Sequence, residues 1–119
     1  IPMQCEYYAL QGLSHLLKTL KLVKNSINPE LKVEGILLTM YDGRTLLASQ
    51  VKDQVKKYFT SFLMDTIIPR NIRLSEAPSH GKPIVLYANR SRGSDSYVEL
   101  AKEIISKTKS DGNQEKFGR

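Results

Sequence analysis

The sequence predicts an α/β layered fold built on a parallel sheet, and three observations carry that expectation. Helical and strand-like hydrophobic patterns alternate along the chain. The strand-like segments are short and nearly continuous in apolar character, as strands covered on both faces are. Breaker residues separate the segments at Asn28-Pro29, Asp42-Gly43 and Pro69.

Tyr8 to Ile27 reads as the first helix. Leu10, Leu13, Leu17, Leu20 and Ile27 share one helical face, and Leu16 and Val23 widen it. His15, Lys18, Lys21 and Lys24 fall largely outside that stripe. Pro29 ends the helix, because the residue before a proline disfavours helical geometry. Lys32 to Met40 reads as a strand, with Gly35-Ile36-Leu37-Leu38 as its apolar centre. Tyr41-Asp42-Gly43-Arg44 follows as a turn. Thr45 to Phe59 reads as a second helix with Thr45 as its N-cap and Leu47, Val51, Val55 and Phe59 as its apolar stripe.

Phe62 to Ile68 reads as a short strand stopped by Pro69. Arg70 to Pro78 is a loop or a short helix, Ser79 to Pro83 a loop, and Ile84 to Tyr87 an apolar extended segment. Ser94 to Ser106 reads as the last helix, with Val98, Ala101, Ile104 and Ile105 facing inward and a capping box at Ser96 and Glu99. Residues 108–119 are polar apart from Phe117 and are expected to be a mobile tail.

The chain has 119 residues, 40% hydrophobic and 25% charged, which suits one domain or a piece of one. No apolar run approaches the roughly 20 residues of a membrane-spanning helix. Cys5 is the single cysteine, so neither an internal disulfide nor a cysteine-rich zinc site is open to it, and a reducing cytoplasm fits. No signal peptide is visible. The opening Ile1-Pro2-Met3-Gln4 reads as a fragment cut just after, or inside, a strand. Eighteen basic against twelve acidic residues give a net charge of +6, which permits contact with DNA, RNA or acidic lipid.

Several chemistries find no support. Gly81-Lys82 is followed by Pro83 where a phosphate-binding loop of the form G-x-x-x-x-G-K-[ST] requires Ser or Thr. Proline also removes an N–H that such a loop aims at phosphate. Ser79-His80 are neighbours in sequence with no orienting acid implied, which is not a catalytic triad. His15 and His80 stand alone and form no metal motif.

The strand ends hold the stronger signal, because open parallel sheets bind ligands outside the carboxyl ends of their strands. Thr39 and Asn71 are suited to hydrogen-bond a heteroaromatic edge, Pro69 to pack flat on a ring, and Met40 to provide a polarizable wall. Simple strand-to-helix turns would use the same residues, and chemistry alone leaves both readings open.

Beyond these patterns, three blocks resemble ParA/Soj-type partitioning ATPases of the deviant Walker superfamily. They are Gln4-Cys5-Glu6-Tyr7-Tyr8-Ala9-Leu10 with Gly12-Leu13, Leu38 to Asp42 with Arg44-Thr45, and Ile67 to Pro83. Ser91-Arg92-Gly93 and the last helix continue the likeness, which covers Ile1 to about Lys107. It implies a three-layer, parallel-sheet P-loop NTPase-like fold, here an incomplete carboxy-terminal part spanning 1–107, with 108–119 as the tail. It implies an intact protein that uses ATP with Mg, dimerises when ATP is bound, binds DNA non-specifically and is stimulated by a ParB-type partner. Chromosome or plasmid partitioning, in the cytoplasm on the nucleoid, is the implied role.

The family's phosphate-binding and catalytic residues match nothing here, so the resemblance implies no catalytic residue in this chain, no firm cofactor binding and no hydrolysis by it alone. By position, Thr39, Pro69, Arg70 and Asn71 match the adenine-contacting segment, and Arg44 and Arg73 the DNA-facing surface. Asn71 is expected to supply the hydrogen bond to the base and Pro69 the packing, while Arg70 would serve instead in an ion pair. Lys52, Lys56 and Lys57 would extend the basic patch if their helix faces the same way. The polar tail carries no amphipathic membrane-binding stripe, which separates the chain from the MinD branch and implies no membrane partner. The alternative is a stand-alone nucleic-acid-binding or regulatory module without nucleotide chemistry.

Overall fold

A computed structural model describes residues 1–117, with side chains described through residue 112. The elements are β1 (Pro2–Gln4), α1 (Ala9–Ser26), β2 (Ile36–Tyr41), α2 (Leu46–Tyr58), β3 (Leu63–Pro69), α3 (Ile72–Glu76), a 3₁₀ turn (Ala77–His80), α4 (Ile84–Tyr87) and α5 (Arg92–Phe117). The sheet has the order β1-β2-β3. An α/β chain on a parallel sheet is what the alternating pattern predicts. The chain divides into two compact units, Ile1–Met64 and the residues from Asp65 onward.

In the first unit β1 and β2 run parallel, with Met3 opposite Leu38 and Gln4 opposite Thr39. A parallel pair needs a crossover, and α1 supplies it. Ile36 and Leu38 are wholly buried, as the apolar run predicts for a covered strand. The strand begins at Ile36 rather than at Lys32. Gly35 lies against the Met64 side chain, where a Cβ would collide.

On α1 only Leu13 is buried, and Ile27, expected on the inner face, follows the helix as its C-cap and is 78% exposed. Helix α2 packs Ala48, Val51 and Val55 into the core. Thr45 caps it as expected, its hydroxyl accepting from the Ala48 N–H at 3.3 Å.

In the second unit several expectations are corrected. Ile84 to Tyr87 is a short helix, not an extended segment. Pro83 starts it with its carbonyl accepting from the Leu86 and Tyr87 amides. Helix α5 begins at Arg92, capped by Ser91, whose hydroxyl accepts from the Ser94 N–H at 3.2 Å. Ser96 sits inside the helix and bonds back to the Arg92 carbonyl, so it is not the cap.

The inner face of α5 is also different. Gly93 and Ser94 are buried and Leu100, Glu103 and Lys107 partly so, while Val98, Ala101, Ile104 and Ile105 are exposed. Gly93 permits this face, because a Cβ there would stand 2.5 Å from Leu74 Cγ. The helix runs on through Phe117, so the stretch 108–117 continues α5 instead of following it; 118–119 lie outside the described residues.

Candidate functional site

The carboxyl end of β2 is strained and then tightly turned. Met40 has φ 48°, the one non-glycine residue with positive φ among those described. That backbone brings Cβ close to a carbonyl oxygen and costs about 1–2 kcal/mol. Such strain at the end of a sheet strand often accompanies a site. Thr39, one residue earlier, is half-buried, and its hydroxyl has no hydrogen-bond partner among the described residues.

The turn after β2 closes on Asp42. Its carboxylate accepts from Arg44 Nε and Nη2, both at 2.9 Å, and from the Arg44 backbone N–H at 3.1 Å. A bidentate fork of this kind is the strongest common ion-pair geometry. It raises the Arg44 pKa, first through that hydrogen bond and then through the Asp42 charge. Arg44 nevertheless stays 89% exposed. Lys52 places Nζ 5.8 Å from the centre of the Tyr41 ring, and Lys57 stands 5.4 Å from that of Tyr58. Lys56 is exposed. Cys5 is partly buried; burial pushes its thiol pKa up against the opposing pull of Lys52.

The second unit holds the other expected residues. Pro69 ends β3 and is half-buried, and Arg70 is exposed without an ion pair among the described residues. Asn71 is the N-cap of α3, with its Oδ1 accepting from the Arg73 N–H at 3.0 Å. The cap uses the acceptor and leaves the Nδ2 amide as a donor.

Arg73 gives Nη1 to Glu76 Oε2 at 3.2 Å, and the same oxygen accepts from the Tyr87 hydroxyl at 2.7 Å. His80 stacks on Tyr87 with ring centres 4.7 Å apart. The Tyr87 hydrogen bond, above all, holds the Glu76 carboxyl below the usual carboxylate range, with Arg73 and His80 adding to it against a desolvation that opposes. The Tyr87 pKa rises in return, chiefly through the same bond.

Sequence reasoning did not identify Asp42, Glu76, Tyr87 or Glu103 as partners. The i, i+3 spacing of Arg73 and Glu76 was available as a signal. The turn around Asp42-Gly43 was also readable, but not its clamp on Arg44. Among the described residues no cluster of His, Cys, Asp and Glu could hold a metal ion, and no helix is long and apolar enough to cross a membrane.

A sequence profile of the AAA domain family matches residues 1–33. The chain is 62% identical over 104 residues to the sporulation initiation inhibitor protein Soj of Bacillus subtilis, covering 87% of this chain and 41% of that protein. It is 55% identical over 105 residues to the chromosome partitioning protein ParA of Myxococcus xanthus, covering 88% and 37%. With the chromosome-partitioning ATPase Soj of Treponema pallidum it shares 52% identity over 107 residues, covering 90% and 42%. These matches support kinship with the Soj and ParA proteins. The chain spans about two fifths of the length of these relatives.

Proposed function

We propose that this chain is the carboxy-terminal part of a ParA/Soj-type ATPase that partitions chromosomes or plasmids, and that it supplies adenine contacts and a non-specific DNA-binding surface. The observation that carries the adenine half is Asn71. Its oxygen is engaged as a helix cap, so Nδ2 is held in one orientation as a donor for a ring nitrogen. Pro69, two residues earlier, offers a flat apolar face; Thr39, in the first unit, carries a hydroxyl with no partner among the described residues. Each group by its chemistry suits a heteroaromatic base, and none suits a triphosphate. No residue of the chain forms the glycine-rich loop that would hold phosphate and Mg. ATP, when bound to the intact protein, supplies the phosphoryl group. The part assigned to these residues is to hold and orient the base.

The DNA surface rests on Arg44 and Arg73, both exposed and both within a chain of net charge +6. Non-specific binding needs cations that can reach phosphates, and its affinity falls steeply with salt. Each guanidinium here already has a carboxylate partner, so phosphate competes with Asp42 or Glu76 for it. A ParB-type partner, an ATP-dependent dimer and a place on the nucleoid belong to the same reading.

The test is made in the intact protein. Asn71→Ala is expected to weaken binding of a non-hydrolysable ATP analogue while duplex-DNA binding by the loaded protein is retained. Arg73→Glu is expected to do the reverse. Unchanged nucleotide affinity in Asn71→Ala would overturn the adenine assignment.

A further inference from the structure

The first unit contains a groove that the nucleotide and DNA readings leave unused. Leu17, Leu20, Lys21 and Lys24 form one wall, at helical spacing along the second half of α1. Leu31, Lys32 and Val33 form the other wall, and Phe62 lies at its end. The open groove offers a volume of about 430 Å³, within the range of ordinary ligand pockets. The floor is apolar: Leu17, Leu20, Leu31 and Val33 are half-buried, and Phe62 is 43% exposed. The rim is cationic, with Lys21, Lys24 and Lys32 all exposed.

None of these lysines forms an ion pair among the described residues, although Glu30 and Glu34 stand close by in the chain. Lys24 has a local role, since a cation in the last turn favours the helix dipole. Lys21 and Lys32 have no such local partner.

We propose that this groove docks a short acidic amphipathic segment of a partner protein, with apolar side chains seated on the floor and carboxylates set against Lys21, Lys24 and Lys32. The charge pattern selects that occupant. A second copy seated groove to groove would set the same cationic rim against Lys21, Lys24 and Lys32, like charge against like. Duplex DNA would meet the lysines but leave the leucines and Phe62 without a partner, because phosphates do not need an apolar floor. A bilayer takes up projecting apolar side chains, whereas these line a concavity. A helix laid in a groove, with anchors at i, i+3 and i+4, uses both the floor and the rim.

The experiment is fluorescence anisotropy of the intact protein with a labelled synthetic peptide carrying Leu and Phe at helical spacing among Glu residues. A control peptide has Gln at every Glu position. Binding of the acidic peptide, weakened about three- to tenfold by Lys21→Glu with Lys32→Glu and also by Phe62→Ala, is the expected result. Lys21 and Lys32 are exposed, so their double variant stays informative if Phe62→Ala unfolds. Equal affinity for the Gln peptide would overturn the proposal. So would binding insensitive to the lysine reversals. Loss of duplex-DNA or anionic-vesicle binding in the lysine variant, with peptide binding intact, would identify the rim as a phosphate-binding surface and equally refute a peptide site.

Discussion

In the first unit Ile36, Leu38 and Val55 are fully buried and Met3, Leu13, Ala48, Val51 and Met64 nearly so. From Asp65 onward the buried apolar side chains among the described residues are Ile68, Ala77 and Ile84, and carboxylates take over part of the work. Glu103, on α5, accepts from the backbone N–H of Asp65 at 2.9 Å and of Thr66 at 2.8 Å. Glu76 gathers Arg73 and Tyr87. One region is held by area removed from water, the other by charged acceptors on backbone and hydroxyl donors. The lesson is that the two should respond differently to the same perturbation, because apolar burial is indifferent to pH and a carboxylate is not.

The largest effect that would sharpen this contrast is Leu38→Ala, which leaves a cavity in a closed core and is expected to cost about 2–5 kcal/mol in denaturant unfolding. Next, Glu103→Ala removes two charge-assisted bonds to amides and is expected to cost about 1–3 kcal/mol. Equal loss from a surface control such as Glu99→Ala would break the comparison.

A pH series probes the same difference. Burial tends to raise the Glu103 pKa, but the bonds from Thr66 and Asp65 and the Lys107 charge outweigh it, and the net shift is downward. A folded pKa below the unfolded one means the stabilisation is complete above the ordinary carboxylate value and is lost as pH falls through the folded value. Glu76, also lowered, follows the same sign. The protection factors of the Asp65 and Thr66 amides, exchange rates corrected for the intrinsic rate at each pH, are therefore expected to fall as pH drops below the ordinary carboxylate range, before that of Leu38 does. Simultaneous loss of protection at both places would count against separate chemistries.

In the proposed DNA binding, Arg44 is gripped by both arms of its guanidinium and Arg73 by one. Arg73→Glu is expected to cost more affinity than Arg44→Glu, each flattening the salt slope by about one unit. Asp42→Asn, which releases the fork, is expected to raise affinity a few-fold, and a fall would show that the clamp positions Arg44. The smallest effect is Met40→Gly, expected to relieve the left-handed strain and stabilise by up to about 1 kcal/mol.

Local chemistry was the legible part of this fold. Thr45 as a cap, the β2 core at Ile36 and Leu38, and the stop at Pro69 follow from short-range rules. What was not legible depends on partners distant in sequence. Ile84-Val85-Leu86-Tyr87 looks extended because an apolar run of four, opening on two β-branched residues, carries no helical period. Its helix follows from Pro83 and from burial of Ile84. The face of α5 is not legible because hydrophobicity points to Val98, Ala101, Ile104 and Ile105, whereas the inner side is set by a glycine that admits Leu74 and a glutamate that meets strand amides. At the expected site, Pro69, Arg70 and Asn71 could be placed by resemblance, but the division of labour within Asn71, acceptor to the helix and donor to solvent, required coordinates.

Helix α5 touches the segment before Pro69 through Glu103 and the segment after Asn71 through Gly93 on Leu74. The stretch between is thus suspended from two points of a single rod, like a string between two pegs. Where it sits is set by contacts with Gly93 and Glu103 on the helix, not by residues that would touch a base. A side chain added at Gly93 would move one peg, and under the proposed base contacts its first sign would be a change in nucleotide affinity at a residue it never meets.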